Sequence, residues 1–311
     1  MKKEILFSMP SPFRDTFHIT GYRFGHGAKS LAIVGAMRGD EIQQQYVCAQ
    51  LVRQLAQLEQ QGLLADDQEI LVIPSVNPFS MNIEKRFWAM DGTDITRGIP
   101  TFDLNMNRIF PGDPQGAMPE QIKGYTYGIQ LASFYIPGDF VPHVRLMRTG
   151  YEDTEGAKLF GMPYITLRQP LPFDTTLLNY NWQIWETKAY SLYGGMNDGV
   201  ESPITSEMIG TILRFAQRTG LSRKPVVGIP DFNPQVVDEA TLLPVRTPQA
   251  GMFYRLKGAG DKVHESEPLA RIIDPYEGNV RAEITAPTDG IIFFAHNKPL
   301  ALANTLLFNI L

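Results

Sequence analysis

The sequence predicts an α/β fold, a mostly parallel or mixed central sheet flanked by helices, followed by a small all-β unit. Three observations carry this expectation. Short apolar runs alternate with amphipathic stretches up to about residue 222, as they do where helices cover both faces of a parallel sheet. From about Val245 the text turns to short strands separated by closely spaced turn signals. The length of 311 residues, 43% hydrophobic and 20% charged, suits one large globular domain and a smaller one, expected at 1–225 and 240–311.

Taken in order, residues 19–24 read as a first edge strand, with His26 in the turn after it. The apolar run at 31–34 stops at Gly35, and the polar turn Arg38-Gly39-Asp40-Glu41 opens a helix. The apolar stripe of that helix reads as Ile42, Tyr46, Ala49, Leu51, Val52, Leu55 and Leu58, with Gly62 as its stop. In an α/β protein the carboxyl end of a strand is where ligands bind, so the 38–41 turn is the centre of the functional reading. Residues 69–74 read as a parallel strand buried on both faces. The irregular tract at 79–116 is of a length that is usually functional inside a compact domain.

Strands follow at 142–147, 164–167 and 189–192, the last leading into Gly194-Gly195. A short helix at 153–160 ends at Gly161. Residues 204–216 carry helical periodicity through Ile204, Met208, Ile209, Ile212 and Phe215, closed by Gly220. Trp182 and Trp185 form an aromatic cluster that reads more readily as packed core than as pocket lining. In the C-terminal unit, TPQAGMF (247–253) and APTDGII (286–292) form an internal two-fold repeat.

A net charge of −5 and a pI near 5.6 argue against a nucleic-acid partner. Cys48 is the single cysteine, so no intramolecular disulfide can form, and it reads as a small buried hydrophobe. The first residues lack a long apolar segment, and no later run reaches the ~18 residues of a membrane span. A soluble cytoplasmic protein with no membrane partner is expected, and the sequence leaves homo-oligomerisation open.

Several segments carry a resemblance. Ala36-Met37-Arg38-Gly39-Asp40-Glu41 stands where the succinylglutamate desuccinylase/aspartoacylase family writes G-x-H-G-[DN]-E. Asn107-Arg108-Ile109-Phe110-Pro111-Gly112 resembles its D-x-N-R-x-F-P-G, with Asn105 or Asp103 for the aspartate. Pro142-His143-Val144-Arg145 resembles its PHVR-like strand, and the C-terminal repeat resembles the lipoyl-like β-domain of bacterial members. The order of these segments extends the resemblance over essentially the full length. It implies a zinc-carboxypeptidase-like α/β domain, and it implies a zinc-dependent amide hydrolase. Family members take zinc ligands from the opening turn and from a later D-x-H, and a general base from T-x-E-x-G.

This chain departs from that pattern. Arg38 stands at the first histidine, Gln130-Leu131-Ala132 at D-x-H, and Tyr193, in Ser191-Leu192-Tyr193-Gly194-Gly195, at the glutamate. Glu41 alone remains. His18, His26, His143, His264 and His296 show no ligand spacing, although His143, between Asp139 and Glu152, is the best candidate for a relocated site. An arginine beside Glu41 would pair with it bidentately in a cation's place. No metal and no cofactor are therefore expected. The substrate-holding positions are kept: the resemblance gives Asn107 and Arg108 the ligand carboxylate and Arg86 the acyl carbonyl, with Asp94-Ile95-Thr96-Arg97 a competing match. Arg38, Arg86 and Arg108 near a helix N-terminus suit an anion.

Three readings follow. The first is a small-molecule site for a carboxylate-bearing ligand, N-acyl amino acid or peptide-like, without zinc hydrolysis. The second is an amide or ester hydrolase with a relocated metal or none, using Tyr193 as acid and Glu41 as base. The third is a protein-interaction module.

Overall fold

The computed structural model describes residues 1–86, 93–94, 99–100, 110 and 117–311. The chain opens on an antiparallel hairpin, β1 (Lys2–Ser11) and β2 (Arg14–Phe24). Then β3 (Ala28–Ala36), α1 (Ile42–Gln60) and β4 (Gln68–Ser75) form a strand–helix–strand unit with parallel strands. After α2 (Pro78–Met81) come the two-residue β5 (Thr93–Asp94) and β6 (Ile99–Pro100), then α3 (Ala117–Ile122) and β7 (Tyr127–Leu131). The α/β part continues through β8 (Gly138–Met147), α4 (Thr154–Lys158), β9 (Tyr164–Arg168), α5 (Leu178–Ile184), β10 (Lys188–Gly195) and α6 (Ser202–Arg218). Short strands make up the rest: β11 (Gln235–Asp238), β12 (Leu243–Arg246), β13 (Gly251–Arg255), β14 (Lys262–Val263) and β15 (Pro268–Ile273). They end with β16 (Val280–Thr285), β17 (Gly290–His296), β18 (Leu300–Ala301) and β19 (Leu306–Ile310).

One long sheet runs β1-β2-β4-β3-β7-β10-β8-β17-β19-β12, with β9 and β11 branching from β8 and β14 from β17. Strands β4, β3, β7 and β10 are parallel, and β8 returns antiparallel to β10, so the sheet is mixed. The continuous apolar runs in β3 and β4 feed two cores, because alternate residues point to opposite faces. Ile33, Val72, Ile129 and Leu192 pack under α1 and α6. Ala32, Val34, Leu71 and Ile73 pack with Leu178 and Trp182 of α5 on the other side.

Some local expectations need correction. Residues 19–24 are not at the edge, because β1 pairs along β2 and becomes the edge strand. Leu6 of β1 lies over Gly21, where a Cβ would come within 2.6 Å of its side chain. The face that α1 buries runs through Gln43, Gln44, Val47, Cys48, Leu51, Leu55 and Leu58, whereas Tyr46 and Ala49 are exposed. Hydrogen bonds rotate the first turn: Gln43 Nε2 donates to Thr205 Oγ1 at 3.1 Å, and Gln44 Nε2 to Ala132 O at 3.2 Å. Burial pushes the Cys48 thiol up, which leaves it inert.

Trp182 is core: its Nε1 donates to Ile122 O at 3.0 Å, and Trp185 packs beside the same cluster. The internal repeat leads into β13 and β17. Of these, β13 belongs to a separate four-stranded sheet, β16-β15-β13-β18, while β17 joins the long sheet through Phe140↔Phe294 on β8. A third core, around Phe253, Leu269, Ile272 and Phe308, lies between those strands. Among the described residues no helix is long and apolar enough to cross a membrane.

Candidate functional site

Strands β3, β7 and β10 end at one edge of the sheet, and the antiparallel β8 starts there. The register joins Val34 to Gln130, Gln130 to Ser191 and Ser191 to Arg145, so these side chains share a face. Two positions further along that face stand Ala132 and Tyr193. A cavity of about 440 Å³ opens over this row, and Arg38, Arg86, Ser133, Arg145, Arg168 and Tyr193 are among its walls.

The near wall is the turn after β3. Glu41 occupies the N-cap of α1 but turns its carboxylate back into the turn rather than capping the helix. Its Oε2 accepts from the Met37 and Arg38 backbone N–H groups at 2.7 and 3.0 Å. Its Oε1 accepts from Arg38 Nη1 at 2.7 Å and from the Ser133 hydroxyl. Glu41 is wholly buried and Arg38 nearly so. An isolated charge there would be very costly, so the guanidinium and the four donated bonds are what keep the carboxylate inside.

Gly39 lets the next segment close on this turn. A Cβ on it would lie 2.1 Å from Lys85 O and 2.4 Å from Ser80 O. The 80–85 turn therefore sits directly on Gly39, with Glu84 in the left-handed region at φ 50°, and delivers Arg86 to the cavity. Arg86 Nη1 holds Asp40 Oδ2 at 2.9 Å and Oδ1 at 3.2 Å. Burial and then the Arg38 charge lower the Arg86 pKa, against the opposing pull of Asp40 and Glu41. Both Arg38 Nη1 and Arg86 Nη1 lie 3.4 Å from Ser133 Oγ.

The far wall is built on β8, β9 and β10. Arg145 Nη1 donates to the Tyr193 hydroxyl at 2.8 Å, and its other nitrogens grip the Glu239 carboxylate. Arg168 Nη2 donates to the buried Asp174 at 2.9 Å. Burial alone would raise the Glu239 pKa, but the Arg145 charge and hydrogen bond, with Arg168 behind, bring it below the usual carboxylate range. Glu239 follows β11, which pairs with β9, so the stretch between the two expected domains contributes to this wall.

The cavity thus gathers four of the expected site residues, Arg38, Glu41, Arg86 and Tyr193. Asn107 and Arg108 lie outside the described residues, as do Asn105, Asp103 and Arg97. His143 is not a cavity residue. It stacks on Tyr193 with centroids 5.0 Å apart, and its Nδ1–H donates to Val141 O at 2.8 Å. Burial depresses its pKa to about 4. Asp139 pairs with Arg255 of β13 at 2.5 Å.

Ser133, Arg168, Asp174 and Glu239 were not singled out by sequence. Arg145 gave a usable signal, a lone charge between Val144 and Leu146 in an apolar strand, which demands a buried partner. Ser133 gave none.

The residues around Glu41 do not fit a zinc ion, which needs three protein ligands and an open position. Glu41 is surrounded by donors, a guanidinium, a hydroxyl and two backbone N–H groups, and Ala132 offers no ligand atom. Among the described residues no three His, Cys, Asp or Glu side chains gather for a metal.

Residues 27–147 match the model of the succinylglutamate desuccinylase/aspartoacylase catalytic domain. The chain is 25% identical, over 88% of its length and 79% of the relative's, to the N-alpha-acetyl-L-2,4-diaminobutyric acid deacetylase of Halomonas elongata. Its fold is that of the product-bound ectoine utilization protein EutE (DoeB) from Ruegeria pomeroyi, with a TM-score of 0.75 at 17% identity, covering 97% of this chain and 93% of the other. A succinylglutamate desuccinylase/aspartoacylase from Rhodobacter sphaeroides superposes with a TM-score of 0.73 at 16% identity, covering 95% and 89%. The matched segment carries the near wall of the cavity, so that part of the chain is similar to the succinylglutamate desuccinylase/aspartoacylase catalytic domain.

Proposed function

We propose that the cavity binds a small carboxylate-bearing ligand of the N-acyl amino acid or peptide-like class, and does so without zinc-dependent amide hydrolysis. The relatives' names support a deacylase-like role in general. The finer reading rests on one observation, the Arg38 guanidinium seated on Glu41 where zinc chemistry would need a metal. Arg86 beside it, and Arg145 and Arg168 across the cavity, supply forked donors suited to carboxylate oxygens. The ligand acts as a free small molecule in the cytoplasm, with no nucleic acid or membrane involved.

Metal analysis of the purified protein, combined with calorimetric titration of N-acetyl and N-succinyl amino acids, tests this. The expected result is no stoichiometric zinc and a measurable affinity that Arg86→Ala weakens about ten-fold, since a buried charged donor is lost. One zinc per chain, with turnover abolished by chelation, overturns it.

A further inference from the structure

We infer that Ser133 is a nucleophile, and that the near wall of the cavity is a metal-free acyl-transfer centre for activated esters. The inference rests on the carboxylate-binding reading only for the choice of acyl donor.

Nucleophilic catalysis by serine needs three things in one place: a base on the hydroxyl, donors for the developing oxyanion, and access to a substrate. Ser133 Oγ donates directly to Glu41 Oε1. Arg38 Nη1 and Arg86 Nη1 each stand 3.4 Å from Ser133 Oγ. All three side chains line the cavity or its floor, and Ser133 follows β7 at the sheet edge where the parallel strands end. The surroundings hold the groups still: the Met37 and Arg38 backbone N–H groups fix Glu41, and Asp40 fixes Arg86. Such fixed dipoles act without reorganising during reaction.

Ser133 Oγ adds to the acyl carbonyl carbon while its proton passes to Glu41 Oε1. The carbonyl oxygen becomes an oxyanion facing the two guanidiniums. The bond to the leaving alkoxide or phenoxide then breaks, the leaving group takes the proton from Glu41, and an ester on Ser133 remains. Water repeats the sequence on that ester, with Glu41 taking and returning a proton, and releases the carboxylic acid.

The group that takes the Ser133 proton is a carboxylate in direct contact with it, with no histidine between them among the described residues. That restricts the chemistry to acyl groups with good leaving groups, esters and thioesters rather than amides. The guanidiniums further favour an acyl chain that carries its own carboxylate.

The test is incubation of the full chain with mono-4-nitrophenyl succinate, following nitrophenol release and locating the adduct by peptide mass. A burst of about one equivalent and a succinyl group on Ser133 are expected. Ser133→Ala should abolish the burst and slow nitrophenol release about 100-fold. Ser133→Cys, which keeps a nucleophile, should still be acylated at position 133 and serves if the alanine variant fails to fold. No adduct, an adduct elsewhere, or an unchanged burst in folded Ser133→Ala overturns the inference. Calorimetry with free succinate separates it from the proposed function: binding without an adduct refutes only the serine chemistry. Acylation of Ser133 by neutral 4-nitrophenyl acetate without succinate binding supports the serine and refutes the carboxylate reading.

Discussion

Arg38 is the buried counter-ion of Glu41. Its guanidinium meets a carboxylate with no exposure at all, so removing one partner leaves the other buried and uncompensated. Arg38→Ala should destabilise the fold by about 3–5 kcal/mol, and Arg38→Ala with Glu41→Gln by clearly less than the sum of the single changes. Urea denaturation of the four proteins in that cycle measures the coupling. His143 makes a different prediction. Its pKa is about 4 folded against 6.5 for the free side chain. As pH falls, the unfolded chain takes the proton first, so stability is level above about 6.5 and declines between there and pH 4. The decline attributable to this group is on the order of 3 kcal/mol. His143→Gln should flatten the profile in that window, as denaturation midpoints at a series of pH values will report.

The elements around the cavity show where a one-dimensional reading succeeds. Strands β3, β4 and β10 were legible because parallel strands buried on both faces must be apolar at consecutive positions, whereas β1 and β7 were not read. The start of α1 was legible at Glu41, but its buried face was not. Gln43 is interior because Thr205 and the Glu201 backbone meet both ends of its amide, and Gln44 because its Nε2 donates to Ala132 O and Asn197 Oδ1, and those partners come from distant segments. The same holds at the site. Arg38, Glu41, Arg86 and Tyr193 stood at motif positions, whereas Ser133 became significant only when β7 brought it against Glu41. Gly39 was part of the motif, but its purpose lay in the contact with Ser80 and Lys85. Gly39→Ala should therefore push the 80–85 turn outward and carry Arg86 off Asp40. We expect a loss of about 1–3 kcal/mol in stability, the usual penalty of forced repacking. Ligand affinity should fall toward that of Arg86→Ala, because the displaced guanidinium leaves the cavity and Asp40 unpaired as its removal does. Thermal melts with parallel titrations check both.

The long sheet binds the two parts of the chain together through β8. One side of β8 pairs with β10, and the other is shared between β9 at 143–147 and β17 at 138–140. Across this seam Phe294 lies 4.8 Å from Phe140 and 5.5 Å from Phe134, and Phe140 lies 5.5 Å from Tyr193. Arg255 pairs with Asp139 over the same joint. The C-terminal strands therefore close the aromatic cluster behind the far wall of the cavity. A chain ending at residue 239 would leave the start of β8 as an open edge with phenylalanines exposed, which is an aggregation template. It should be recovered as insoluble or associated material, and the full chain should unfold in one transition with coincident far- and near-ultraviolet signals. Phe294→Ala separates the seam from the rest: it should cost about 3–5 kcal/mol by opening a cavity. By loosening Phe140 under Tyr193 it should also weaken ligand binding from a position remote from the guanidiniums. Two resolved transitions, or a soluble 1–239 fragment that binds ligand with full affinity, would show instead that the C-terminal strands are an independent module.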